Sequence, residues 1–201
     1  MFGITYLPKF KGQSYYLFVA IDRCTRAMIY WVYENKTAEN SEDFMTKCLV
    51  FFPFYITTIL TDNGLEFTNR LLISKKGDKC TKLSKMDIKC LENNIKHRLT
   101  APFTPKTNGM LERVKGVIKN KTLLINQYKS INEMNQDLAQ FLSFYNLYRR
   151  QGSLRKELKV KTPCQTIEKW YTLKPEVFKI TPNDFKNDIL NLQSSLINLH
   201  Q

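Results

Sequence analysis

Two acids set the first question. Asp62 closes the β-branched, apolar run Tyr55 to Leu60, and Glu112 follows 50 residues later in a stretch with helical spacing. A carboxylate at a strand end and another on a helix rim can meet at one edge of a sheet. Hard oxygen ligands so placed suit divalent cations, and a pair of ions about 3.5 to 4 Å apart can activate a nucleophile and stabilise a leaving oxygen in phosphoryl transfer. An isolated Asp-Asn-Gly is more often a turn, so the pair acquires meaning only from its surroundings. His97 and His200 are the only imidazoles, and Cys24, Cys48, Cys80, Cys90 and Cys164 contain no CxxC pair. That excludes a zinc module and a disulfide framework, and any metal would have to be bound by carboxylates.

The elements that must position these acids follow from the pattern of the chain. Phe2 to Leu7 and Tyr15 to Ile21 read as a hairpin about the polar turn Lys9 to Ser14, and Ala27 to Tyr33 as a third antiparallel strand. Thr37 is placed to cap a helix that ends before Pro53, and Tyr55 to Leu60 returns as a strand parallel to an earlier one. Asn69 to Lys85 is a Lys-rich loop or insertion, followed by a short helix over Leu83 to Leu91 and a strand over Ile95 to Leu99. Thr104 and Pro105 suit the first positions of a helix to about Gln127, with Leu111, Val114, Ile118 and Ile125 forming its apolar stripe and Glu112 on the rim. Three further helices are expected: Ile131 to Tyr148, Thr162 to Trp170 with a capping box, and a last one from Thr181 carrying Phe185, Ile189, Leu192, Leu196 and Leu199.

Charge narrows the partner. The chain has 31 Lys and Arg against 18 Asp and Glu, a net charge of +13, which favours a polyanion, nucleic acid before a membrane surface. A solvated Lys-biased surface is the bland alternative. No apolar run is long enough for a membrane span and Met1 to Ile4 lacks a signal-peptide n-region, so a cytoplasmic protein is expected, nucleoid-associated if bacterial.

The motifs together resemble a known family. TDNGLEF at 61 to 67 and HRLTAPFTPKTNGMLERVKG at 97 to 116 resemble the integrase catalytic core of insertion-sequence transposases, the DDE group related to retroviral integrases. ITYLPKFKGQSYYLFVAIDRCTR at 4 to 26 resembles the first strands of that core, and YNLYRRQGSL with KTPCQTIEKW its C-terminal extension. The resemblance implies an α/β fold: a ribonuclease H-like mixed five-stranded sheet flanked by helices, with a helical C-terminal extension. The expected division is a catalytic core at 2–128, a helical extension at 129–174 and a helical tail at 175–201. The resemblance also implies a polynucleotidyl transferase that cleaves and joins DNA with Mg²⁺ or Mn²⁺. Asp62 matches the second catalytic aspartate and Glu112 the catalytic glutamate, both metal ligands; Asn63 and Gly64 match the turn beside the metals, and Asn108 and Gly109 the helix start that aims the glutamate. DNA phosphate contacts are expected at Lys106, Arg113, Lys115 and Lys119, with Arg149 and Arg150 as secondary candidates.

One departure qualifies the activity. The family's first strand carries an aspartate immediately before Ile-Thr, and here Gly3 precedes Ile4-Thr5. The first metal ligand is missing, and the chain opens inside that strand. The expectation is a truncated transposase homologue with impaired catalysis, acting on transposon ends and target DNA. It would form a homo-oligomer or associate with a full-length transposase. Two alternatives stand beside it: an active enzyme in which Asp22 completes the site, and a non-catalytic DNA-binding or regulatory protein that associates with intact transposase.

Overall fold

A computed structural model describes residues 1–72, 80–101 and 109–198 of the chain. Five strands and seven α-helices lie among them. The first three strands, β1 (Phe2–Tyr6), β2 (Tyr16–Ile21) and β3 (Met28–Tyr33), form an antiparallel sheet in that order. The register pairs Gly3 with Val19 and Phe18 with Trp31. Leu17 to Ile21 are essentially inaccessible, as a central strand covered on both faces requires.

Helix α1 (Ala38–Phe51) starts as its sequence demands, with the Thr37 side chain accepting from the Asn40 amide. Strand β4 (Thr58–Thr61) is shorter at its start than the apolar run implied, because Tyr55 donates its amide to Val177 in a 3-10 turn at Pro175–Val177. After α2 (Lys85–Glu92) comes β5 (Lys96–Leu99), which is the parallel partner of β4. The expected mixed sheet is thus hydrogen-bonded as three strands plus two, with β1 lying alongside β4. The hydrogen-bonded parallel partner of β4 is the later strand β5.

Helix α3 (Gly109–Lys121) packs on β1 and β2. It ends before Gln127, since the amide of Leu124 bonds five residues back to Lys119 instead of four, which leaves Ile125 exposed and off the core stripe. The proposed cap at Thr104 and Pro105 lies outside the described residues. Then follow α4 (Ile131–Leu147), α5 (Gly152–Leu158), α6 (Pro163–Leu173) and α7 (Pro182–Asn198). The capping box of α6, Thr162 with Gln165, is formed as expected. Sequence pattern missed α5, a seven-residue helix with no side-chain cap.

The three-stranded sheet is buried on both faces. On one, Phe2, Phe18 and Ile29 meet Phe44 of α1, Ile167 of α6 and Phe185 of α7, so residues from 2–128, 129–174 and 175–201 share one cluster. On the other, Val19 and Ile21 meet Leu111, Val114 and Ile118 of α3 and Leu138 of α4. Strand alternation therefore sends Phe2 toward α1 and turns Gly3 toward α3.

Candidate functional site

Asp62 immediately follows β4, and its carboxylate is held by local geometry: Oδ1 accepts from the Gly64 amide at 3.1 Å, an Asx turn. Asn63 donates to the Thr100 carbonyl at 3.3 Å, tying this turn to the residue after β5. Gly64 does not adopt a left-handed backbone. The Glu66 carboxylate lies over it, 2.6 Å from where a Cβ would be, so a side chain there would displace the Glu66 carboxylate from this position. Asp62, Asn63 and Glu66 line one open cleft together with Lys36. The Lys36 ammonium lies 5.6 Å from the Tyr6 ring centroid, and Tyr6 and Glu66 hold its pKa above the usual value.

A buried polar chain backs Asp62. Thr61, fully buried, has its hydroxyl 2.9 Å from the Asp62 carbonyl and 2.9 Å from His97 Nε2. His97 Nδ1 lies 2.7 Å from Asp87 Oδ1, both side chains being 2% exposed. Asp87 also receives Arg70, and its other oxygen accepts from the Ser84 hydroxyl and amide in the capping box of α2. Burial alone would raise the Asp87 carboxyl, but hydrogen bonds from His97 and Ser84 outweigh it and keep it below the usual carboxylate range. Burial also pushes the His97 imidazole below its usual value, against the opposing pull of Asp87. The ring is therefore neutral near pH 7, donating from Nδ1 to Asp87 and accepting at Nε2 from Thr61. The one Thr61 proton serves either His97 or the Asp62 carbonyl; a protonated ring would release it to Asp62.

Sequence pattern places His97 within a motif and assigns Asp87 no role. Its signal was present: Ser84-Lys85-Met86-Asp87 is a capping-box pattern ahead of a helix. Nothing in that pattern pairs Asp87 with a histidine ten residues on, because the contact needs β5 to return beside the helix.

The second acid sits in different surroundings. Glu112 is on α3 with its side chain 59% exposed, and Oε1 accepts from Lys115 Nζ at 2.9 Å. Lys115 is buried, its side chain only 10% exposed. Its ammonium lies above Gly3: a Cβ built on that glycine would be 3.1 Å from Lys115 Nζ and 2.6 Å from Leu111 Cδ2. The expectation that Lys115 faces DNA phosphates therefore meets a correction, since its place one turn after Leu111 puts it on the inward stripe. Arg113 is exposed and Lys119 half-exposed on the same helix. Lys106 and Asn108 lie outside the described residues, as does the centre of the Lys-rich insertion, 73–79. Arg150 is exposed, and Arg149 sits 5.9 Å from the Tyr145 ring centroid.

Asp22 does not replace the missing ligand. Its Oδ2 accepts from the amides of Cys24 and Thr25 and from the Thr25 hydroxyl, at 3.1, 2.6 and 2.8 Å, capping the turn between β2 and β3. It also lies three residues, roughly 10 Å, beyond Val19, the partner of Gly3, and alternation directs it to the opposite face of the sheet.

The donor set can be tested against a two-metal centre. Among the described residues no three carboxylate, imidazole or thiol groups converge on one point. Position 3 offers no oxygen, an ammonium occupies the space beside it, and Glu112 is already bound to that ammonium. The residues present do not fit a pair of bridged divalent ions.

An integrase core domain model matches residues 3–105, and a second integrase core domain model matches residues 93–157. The curated "Putative integrase ORF3" of Spiroplasma virus SpV1-C74 is 30% identical over 159 residues, which cover 75% of this chain and 41% of that protein. The chain thus spans less than half the length of the curated relative it matches. Among solved structures, the catalytic core domain of BIV integrase superposes with a TM-score of 0.60 at 15% identity, covering 87% of this chain and 96% of that one. The HTLV-2 integrase catalytic core domain in complex with magnesium gives 0.54 at 21% identity, covering 82% and 92%. The simian T-cell lymphotropic virus intasome, in complex with a PP2A regulatory subunit, gives 0.58 at 18%, covering 82% and 52%. The fold is that of the retroviral integrase catalytic cores, ribonuclease H-like, and the chain belongs to the integrase core domain family.

Proposed function

We propose that this chain is an integrase-type core for DNA transposition or integration that binds DNA through its basic surface and has lost most metal-dependent strand cleavage and transfer. Family membership and the net charge of +13 support the DNA-binding half of the reading. The observation that carries the other half is Gly3 beneath α3, with the Lys115 ammonium beside it and bonded to Glu112 at 2.9 Å. Strand transfer needs charge stabilisation in place before the transition state, and a site short of its first acid has too few oxygens to hold two ions. Asp62 and Glu112 supply at most a weak seat for a single Mg²⁺ or Mn²⁺.

Arg113 and Lys119 are the phosphate contacts expected on the described part of α3, fixing affinity without reading bases. Self-association, or association with a full-length transposase, is the proposed mode of assembly. The test pairs two assays on the full chain. Duplex binding measured by fluorescence anisotropy should weaken steeply with salt, log K falling with a slope of about −0.9 per phosphate neutralised. Supercoiled plasmid with Mg²⁺ or Mn²⁺ should show no nicking above background. Metal-dependent nicking that disappears in Asp62→Asn would overturn the loss of catalysis, and salt-insensitive or absent binding would overturn the DNA-binding role.

A further inference from the structure

We propose that Lys115 is the resident cation of this site and that Gly3 and Lys115 act as a coupled pair, so that restoring an aspartate at position 3 alone does not rebuild a metal centre. The inference rests on the reading above that two-metal chemistry is impaired, and it adds the cause that maintains the impairment.

Leu111, Val114, Lys115 and Ile118 share the inward stripe of α3, and all four are buried. An ammonium on an apolar helix face is costly unless a partner and room are provided. Both are present. Gly3, facing α3 across from Val19, leaves the volume a side chain would fill, and Glu112 one turn back accepts the proton-bearing nitrogen at 2.9 Å. The cation is the buried member of the pair and the anion the exposed one, at 10% and 59% side-chain exposure. A lysine serving solubility or a distant phosphate would have the reverse arrangement.

Two consequences follow for any side chain placed at position 3. Its Cβ meets Leu111 Cδ2 at 2.6 Å, so Leu111 must move whatever the residue is. If the residue is an aspartate, its carboxylate enters directly beside the Lys115 ammonium, 3.1 Å from the Cβ position. The new acid then pairs with the lysine instead of offering its oxygens to a divalent ion, and the positive charge repels that ion. Removing Lys115 frees both carboxylates at once. The two substitutions should be strongly non-additive, as expected for residues sharing one contact.

Mn²⁺ titration of the full chain, followed by electron paramagnetic resonance, reads this directly. Wild type and Gly3→Asp should bind Mn²⁺ weakly, whereas Gly3→Asp combined with Lys115→Ala should bind at least about ten-fold more tightly than Gly3→Asp, since added carboxylate charge without a competing cation sets affinity at oxygen sites. Gly3→Ala carries the same clash with Leu111 without charge and controls for it. Gly3→Asp alone reaching the affinity of the double variant would overturn the coupling. If the double variant does not fold, Lys115→Met in the wild-type background decides the matter. Its loss of charge at retained length should raise Mn²⁺ affinity several-fold, and Lys115→Met with Glu112→Gln should cancel the gain; unchanged affinity in Lys115→Met overturns the proposal. Wild type that binds two Mn²⁺ and nicks DNA would instead refute the functional reading, so the two failures are distinguishable.

Discussion

The two candidate acids, Asp62 and Glu112, are supported in opposite ways. Asp62 follows a fully buried threonine, behind which His97, Asp87 and Ser84 satisfy one another in the interior while the more exposed Arg70 closes on Asp87 from outside. Glu112 stands at an exposed lip and is held by a single ammonium that fills space left by a glycine. The first region holds a scaffold that fixes a backbone turn; the second places an ammonium beside Gly3 and pairs it with the acid. A ribonuclease H-like core can therefore support its two candidate acids independently, because the two depend on different strands and helices.

The largest expected effect comes from breaking the first region. Asp87→Ala removes a buried carboxylate from His97, Ser84 and Arg70, and should destabilise the fold by about 3 kcal/mol, the scale of breaking a buried pair by removing one partner. Urea unfolding followed by circular dichroism would measure it, and a loss no larger than that of an exposed control would sharpen doubt about the network. Next is Gly3→Ala, which forces Leu111 to shift in a packed interface and should cost about 1 to 3 kcal/mol by overpacking. A neutral result would mean that α3 is not seated closely on β1. Thr61→Val keeps the shape and deletes the hydroxyl, leaving His97 Nε2 without its donor, at a cost of about 1 kcal/mol.

A pH titration separates the regions further. The folded His97 pKa lies below the usual 6.5, so the unfolded chain binds more protons through this range. The stability it contributes is complete above 6.5 and is lost as pH falls through the lowered folded value. The depressed Asp87 carboxyl acts in the same direction at lower pH, its contribution being present above the usual 3.8 and lost below it. Wild type should thus lose stability on mild acidification, and His97→Gln should flatten the upper part of that loss. The smallest effects belong to the outer face of α3, where Arg113→Ala should weaken DNA binding evenly across sequences and reduce the salt slope by about 1.

Much of this contrast was readable from local sequence, and the limits are physical. Thr37, and Thr162 with Gln165, marked helix starts correctly because a cap is decided within four residues. The antiparallel order of the first three strands followed from short turns between continuous apolar runs. Gly3 was visible as a missing acid, but Lys115 was read as a surface charge. Its burial depends on a glycine 112 positions earlier that only the packing of α3 on β1 brings beside it. The shortened α3 is a matter of backbone geometry: Ile125 fits the periodicity, but after Thr122 the ladder departs from i→i−4, with Leu124 bonding back to Lys119. Asp22 looked like a nearby substitute in sequence until strand alternation placed it on the other face.

The central claim is that an ammonium has taken the place of metal chemistry beside Glu112. Anomalous diffraction from crystals of the wild-type protein soaked in Mn²⁺ tests it most directly. The account predicts Lys115 Nζ beside Glu112 and no manganese peak bridging Asp62 and Glu112; two peaks there, about 3.5 to 4 Å apart as in a two-metal centre, would contradict it.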